Sequence, residues 1–214
     1  MTRTARVTFA VAMLLGLSLA PGAFAQRSRK AKPRVLLIGD SICTYYTPFV
    51  KRAVGAKAQV RRSGHAAHTR YGLENLDKWL GKNPPDVIHF NWGLHDLKNR
   101  GTKVPVEEYE KNLTRLVHRL KATRAKLVFA TTTPVGPEAA RRNSDVIQYN
   151  EAAVRVMKKE DIRVNDLYAI LHPQRRKIQT GDGVHFTKTG NRIIGEAVGA
   201  HILELLKTED DEKK

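Results

Sequence analysis

Residues 34–42 read RVLLIGDSI: an apolar run of strand character from Arg34 to Ile38 that stops abruptly at Gly39 and Asp40 and delivers Ser41 to a loop. Working outward, the same grammar recurs. Val60 sits in a second candidate strand ending at Ser63 and Gly64, and Asp86 to Phe90 forms a third after the turn signal Asn83, Pro84, Pro85. Lys126 to Thr131 is a fourth that stops before Pro134 and Gly136, and the short run Ile162 to Val164 supplies a fifth. Helical segments lie between and after them, at 73–80, 106–121, 145–159 and 191–206; in the second of these Leu113, Leu116, Val117 and Leu120 share one face. This alternation predicts a three-layer α/β/α sandwich with a mostly parallel five-stranded sheet, whose ligands bind beyond the carboxyl ends of the strands.

The amino terminus reads differently. Arg3 and Arg6 precede a mostly apolar stretch from Val7 to Ala20, and Ala23 and Ala25 supply the small residues before a cleavage site. Residues 1–25 are therefore expected to be a cleavable export signal, which implies a secreted or periplasmic protein with no transmembrane segment after cleavage. A basic linker, 26–33, then leads into a single domain, 34–207, followed by a charged tail, 208–214, expected to fray into solvent. Cys43 is the only cysteine, so no intrachain disulfide and no cysteine-based metal site can form; it is expected to be a small buried hydrophobe rather than a second nucleophile. The formal net charge of +17 is scattered along the chain. With no helix-turn-helix or zinc-finger pattern, it argues for a basic surface facing acidic glycans or an anionic envelope rather than for specific nucleic-acid binding.

Two segments carry candidate chemistry. Gly39 allows a tight turn that would expose the Ser41 hydroxyl, a poor nucleophile unless an imidazole takes its proton and donors hold the resulting oxyanion. The same tripeptide also reads as a turn with a capping serine. In Asp182, Gly183, Val184, His185, an acid and an imidazole three residues apart can pair within one loop and leave the second ring nitrogen facing a distant serine. That loop equally reads as a polar cap in which Thr187 or Thr189 starts the last helix.

Together, and in this order, these blocks resemble the SGNH or GDSL hydrolases over Arg34 to Leu206. Gly39 to Ile42 is similar to the nucleophile block, Gly64 to the glycine block, Gly93 to Asp96 to the third block, and Asp182 to His185 to the block bearing acid and base. The resemblance implies a flavodoxin-like sandwich and ester hydrolysis through an acyl-serine intermediate, with Ser41 as nucleophile, His185 as base and Asp182 as its orienting acid. It also implies an oxyanion hole built from the N–H groups of Ser41 and Gly64 and a side chain of the third block. That block departs from the family pattern, with His95 where the family usually has Asn. A neutral imidazole still donates one N–H, but the hole would become pH-dependent if His95 protonated near neutrality.

No cofactor is expected. His65, His68, His89 and His95 are too loosely spaced, without an HExxH pattern, to suggest a metal site, and His89 inside an apolar strand reads as a satisfied core residue. Tyr45, Asn91 and Trp92 are candidates for the substrate rim, where aromatics would stack on sugar rings, or alternatively for the core. By family analogy the expected substrate is an O-acetylated carbohydrate. The alternatives are a lysophospholipase or thioesterase acting on longer acyl chains, acyl transfer to a sugar, and a non-catalytic glycan-binding protein of the same fold.

Overall fold

Five strands, β1 (Arg34–Gly39), β2 (Gln59–His65), β3 (Val87–Phe90), β4 (Lys126–Ala130) and β5 (Arg163–Asn165), form one sheet in the order β2-β1-β3-β4-β5. All four pairings are parallel, with Val35 opposite Val60 and Val87, Ile88 opposite Leu127, and Ala130 opposite Asn165. The computed structural model describes residues 31–98 and 103–211, with side chains as far as 207. The expected export signal, Met1 to Ala25, lies outside the described residues, as does the linker before Ala31.

Parallel neighbours need crossovers, and the helices that supply them cover both faces of the sheet. Helices α1 (Ser41–Val54) and α7 (Lys188–Asp211) pack together on one face. On the other, α2 (Thr69–Leu80), α3 (Val106–Lys121) and α4 (Asn143–Lys159) pack in succession. Two short helices, α5 (Leu167–Leu171) and α6 (Arg175–Ile178), link β5 to the segment before α7. Covered on both sides, Val35 to Ile38 of β1 and Val87 to Phe90 of β3 are fully buried, which is why these strands read as continuous apolar runs. Each such aliphatic side chain contributes about 1.5–3 kcal/mol by leaving water. The edge strand β2 alternates exposed and partly buried residues over most of its length.

Several boundaries differ from the sequence expectation. Helix α1 was anticipated only as a possible opening after Ser41; it is closed off by Gly55 and carries Pro48 in its interior. Strand β2 runs on to His65, so Gly64 is an interior strand residue rather than the strand's end. Helix α7 starts earlier than expected, at Lys188, and its backbone continues to Asp211. The Glu and Lys residues of the tail favour helix in water, so the helix does not stop at the last buried side chain. No helix of the described residues is long and apolar enough to cross a membrane.

The turn that ends β1 depends on a missing side chain. A Cβ at Gly39 would fall 2.6 Å from the Cβ of Cys43, one turn into α1. Cys43 is itself buried, and burial pushes its thiol up to about 12, so it acts as packing and not as a nucleophile. Gly39→Ala is expected to cost about 1–3 kcal/mol by overpacking, read as a lower urea midpoint at unchanged m-value.

Candidate active site

The sheet order 2-1-3-4-5 reverses direction at β1, and the crevice at that switch point opens between the carboxyl ends of β1 and β3. Ser41 lies there as the first residue of α1. The helix is capped by Asp40, whose Oδ1 accepts the Ile42 N–H at 2.9 Å. The capping reading of this turn is thus met by Asp40, which leaves the Ser41 hydroxyl for another partner. That partner is His185: Ser41 Oγ lies 2.9 Å from His185 Nε2, across 144 residues of sequence.

His185 is held by its own loop. Its Nδ1 lies 2.5 Å from Asp182 Oδ2, while Asp182 Oδ1 accepts the Val184 and His185 N–H groups, each at 2.9 Å, and the Thr180 hydroxyl at 2.7 Å. Partial burial works to raise the Asp182 carboxyl, but these hydrogen bonds outweigh it and hold the group well below the usual carboxylate range. An ionised carboxylate only accepts, so the proton sits on His185 Nδ1 and Nε2 is left to accept the Ser41 hydroxyl. The loop is closed by the Gln179–Phe186 bridge and by Thr180 N–H donating to the His185 carbonyl at 2.9 Å. Thr187 supplies the alternative cap reading as well, its hydroxyl accepting the Gly190 N–H at 3.3 Å; capping and the acid–imidazole pair coexist within a few residues.

The third-block residues arrive from the loop after β3. Gly93 has φ +142, and a Cβ there would fall 2.2 Å from Thr132 Oγ1, so only glycine lets this loop pass under the end of β4. Beyond it, His95 Nε2 lies 3.9 Å from Asp40 Oδ2, too long for a hydrogen bond, and its ring meets His65 edge-on at 4.8 Å between centroids. Burial pushes His95 down to about 4, more than Asp40 raises it, with His65, Arg141 and Lys98 adding to the depression. The ring is therefore neutral at neutral pH, and the proton uptake near neutrality that would have made the site pH-dependent does not occur. Gly64 makes no hydrogen bond to Ser41 or His185. The amide that reaches the Ser41 strand end from β2 is that of Ala66, 3.0 Å from the Gly39 carbonyl, just before Ala67 turns the chain at φ +39.

Of the rim candidates, Tyr45 is 54% exposed and meets His185 edge-on at 5.5 Å, so it stands at the mouth. Asn91 is half-buried and donates to the Ala130 carbonyl at 2.8 Å. Trp92 is not a rim residue: it is buried, stacks on Trp79, and donates from Nε1 to the Ala66 carbonyl at 3.1 Å. His89 is a core residue but not a fully satisfied one. Its Nε2 lies 3.3 Å from Asn165 Nδ2 while Nδ1 is unpartnered, and burial lowers the ring to about 3.

Sequence reasoning missed one residue of this site. Arg141, half-buried in the segment between β4 and α4, donates from Nε to the Leu94 carbonyl at 2.8 Å and lies within electrostatic reach of Asp40, Asp182 and His95. Nothing in the pair Arg141, Arg142 distinguishes the first, which faces the site, from the second, which pairs with Asp145 at 2.9 Å on the surface of α4.

A model of the GDSL-like lipase/acylhydrolase family matches residues 37–193, from within β1 into α7. The chain belongs to this family, whose members are ester hydrolases. This GDSL-family chain is 26% identical over 91% of its length to the rice GDSL esterase/lipase WDL1, of which the match covers 82%. It is 27% identical to the human isoamyl acetate-hydrolyzing esterase 1 homolog, over 76% of this chain and 78% of that one. Among solved structures, a lipase/acylhydrolase from Enterococcus faecalis superposes with a TM-score of 0.72 at 22% identity, covering 79% of this chain and 95% of that one. The acetyl xylan esterase AlAXEase superposes with a TM-score of 0.71 at 17% identity, covering 79% and 99%.

Asp96, beside His95, offers a test of the site's electrostatics. Its Oδ1 accepts the Thr69 N–H and hydroxyl at 2.8 and 2.6 Å, but Oδ2 is buried without a partner, and burial raises the group to about 7 despite those bonds. A raised carboxyl contributes stability that is complete below its unfolded value near 3.8 and lost as pH rises through about 7. Relative to the wild type, Asp96→Asn is therefore expected to gain stability from about pH 4 to pH 7 and to level off above about pH 8, where the carboxyl is ionised in both folded and unfolded chains, followed as the difference in urea midpoints.

Proposed function

We propose that this protein is an exported serine esterase that removes O-acetyl groups from a carbohydrate. The observation that carries the reading is the continuous chain from Ser41 Oγ to His185 Nε2 at 2.9 Å and from His185 Nδ1 to Asp182 Oδ2 at 2.5 Å, at the switch point of the sheet. In this mechanism His185 takes the Ser41 proton as the oxygen attacks the ester carbonyl, and Asp182 stabilises the imidazolium that forms. The N–H of Ser41, in the first turn of α1, faces the developing oxyanion with the helix dipole behind it. His95, neutral because it is buried, adds a side-chain donor. Collapse expels the alcohol, protonated by His185. The same imidazole then activates a water that releases the acid and restores Ser41.

The acetyl specificity is supported by relatives named for acetate esters: the isoamyl acetate-hydrolyzing esterase homolog in sequence and the acetyl xylan esterase in fold. Tyr45, exposed beside His185, offers a ring face to a sugar. The export reading rests on the leader-like sequence of residues 1–25.

Release of acetate from a small aryl acetate tests the mechanism. Ser41→Ala and His185→Ala are each expected to lower kcat by on the order of 10⁴–10⁶-fold, and Asp182→Asn by about 10⁴-fold, with the urea midpoints of all three still showing folded protein. Wild-type activity surviving in Ser41→Ala would sink the serine mechanism. His95→Ala is expected to cost about 10²–10³-fold, while His95→Asn recovers most of that and leaves the rate profile between about pH 6 and pH 8 in place, since a ring at about 4 does not titrate there.

A further inference from the structure

An open cavity of about 610 Å³ runs along the segment after β4, lined in part by Gly136, Arg141, Arg142, His172 and Arg175. It abuts the loop that carries Asp182 and His185. The Gly136 N–H donates to the Gly183 carbonyl at 2.6 Å, and a Cβ on Gly136 would fall 2.7 Å from Arg175 Nη1 and 3.1 Å from the Gly183 Cα. Arg141 closes the other end, tied through Nε to the Leu94 carbonyl beside His95. Two guanidinium groups therefore line a cavity beside the loop that carries Asp182 and His185.

Among the described residues neither forms an ion pair with a carboxylate. Arg70, Arg119, Arg142, Arg155, Arg163 and Arg192 each pair with a carboxylate. Among the described residues Arg141 and Arg175, like Arg61 in β2, hydrogen-bond to neutral oxygens, here the Leu94 carbonyl and the Gln179 side chain at 3.0 Å, and of these three it is Arg141 and Arg175 that line this cavity. Asp40 and Asp182 act on Arg141 from beyond hydrogen-bonding distance, and Glu138, with Oε2 2.5 Å from the position of a Gly136 Cβ, is the local acid a ligand would have to displace. A guanidinium keeps its charge under all these influences, and its planar fork matches a carboxylate in two parallel hydrogen bonds. The open, basic cavity beside the catalytic loop has the room and the charge for the alcohol side of an ester.

We propose that the cleft between Arg141 and Arg175 binds a carboxylate on the alcohol side of the ester, so that the preferred substrate is an O-acetylated acidic sugar, a uronic acid residue, rather than a neutral one. This rests on the carbohydrate esterase reading and narrows it. It also gives the basic surface a local role at the site.

The test compares the full chain on an O-acetylated methyl glucuronoside and on the matching O-acetylated methyl glucoside. The uronate is expected to be preferred by about tenfold or more in kcat/KM, mainly through KM, with the preference shrinking in about 0.5 M sodium chloride. Arg141→Gln and Arg175→Gln are each expected to reduce that ratio, and Arg175→Lys to retain part of it. Equal kcat/KM for the two sugars in the wild type, or a ratio untouched in both glutamine variants, overturns the proposal. Should neither sugar ester be cleaved while an aryl acetate is, the carbohydrate reading fails, and the subsite is judged separately by inhibition of aryl acetate hydrolysis. Stronger competition by methyl glucuronoside than by methyl glucoside supports the carboxylate cleft, and equal competition removes it.

Discussion

The packing of α1 against α7 is the constraint on which the site depends. Ser41 opens α1, and His185 lies just ahead of α7, so the approach of these two helices sets how close the hydroxyl and the imidazole can come. They meet through glycines: a Cβ at Gly195 would fall 2.4 Å from the Phe49 Cβ, and one at Gly199 would fall 2.6 Å from the Ala53 Cβ. Side chains at those two places would force the helices apart, and a hydrogen bond of 2.9 Å between Ser41 and His185 leaves no slack for such a shift. The loop before α7 is fixed from the other side by Gly136 N–H donating to Gly183 O, so the imidazole is located by two layers of structure at once.

The electrostatics around Ser41 are governed by burial more than by pairing. His95 faces Asp40 yet is held neutral, because desolvation outweighs an attraction acting over 3.9 Å. Asp96 is pushed the opposite way by the same cause, with one oxygen satisfied by Thr69 and the other left bare. Asp182 behaves differently because it is the most exposed of the three and collects four donors, counting the His185 ring, two backbone amides and a hydroxyl. The two carboxyls, Asp96 and Asp182, are thus pushed in opposite directions by their surroundings, and the orienting role requires the one that is held ionised.

Much of this was legible in the linear sequence. Continuous apolar runs such as Val35 to Ile38 betray a strand buried on both faces, since a helix-covered parallel sheet has no polar side to record. The glycine and acid at Gly39 and Asp40 mark the turn because close approach and capping both restrict residue type locally. The Asp182–His185 spacing is likewise local, closed within one loop. Trp92 and Gly64 were harder to read. A tryptophan beside a strand end looks the same whether it faces a ligand or packs on Trp79, and a glycine inside a strand looks the same as one that ends it. Arg141 carried no signal at all, because the direction of its guanidinium is set by a carbonyl from another strand's loop.

The sequence by itself therefore determined the five strands and the helices α2, α3, α4 and α7, the tight turn before Ser41 and the spacing that lets Asp182 pair with His185, all of which depend on residues within a few positions of one another. Only the tertiary structure decided that Ser41 and His185 meet, that His95 is neutral, and that Arg141 and Arg175 face the same cleft. Those outcomes arise from contacts between residues tens to more than a hundred positions apart and from desolvation. Both depend on what the rest of the chain places around a group, and neither leaves a trace in its immediate neighbours.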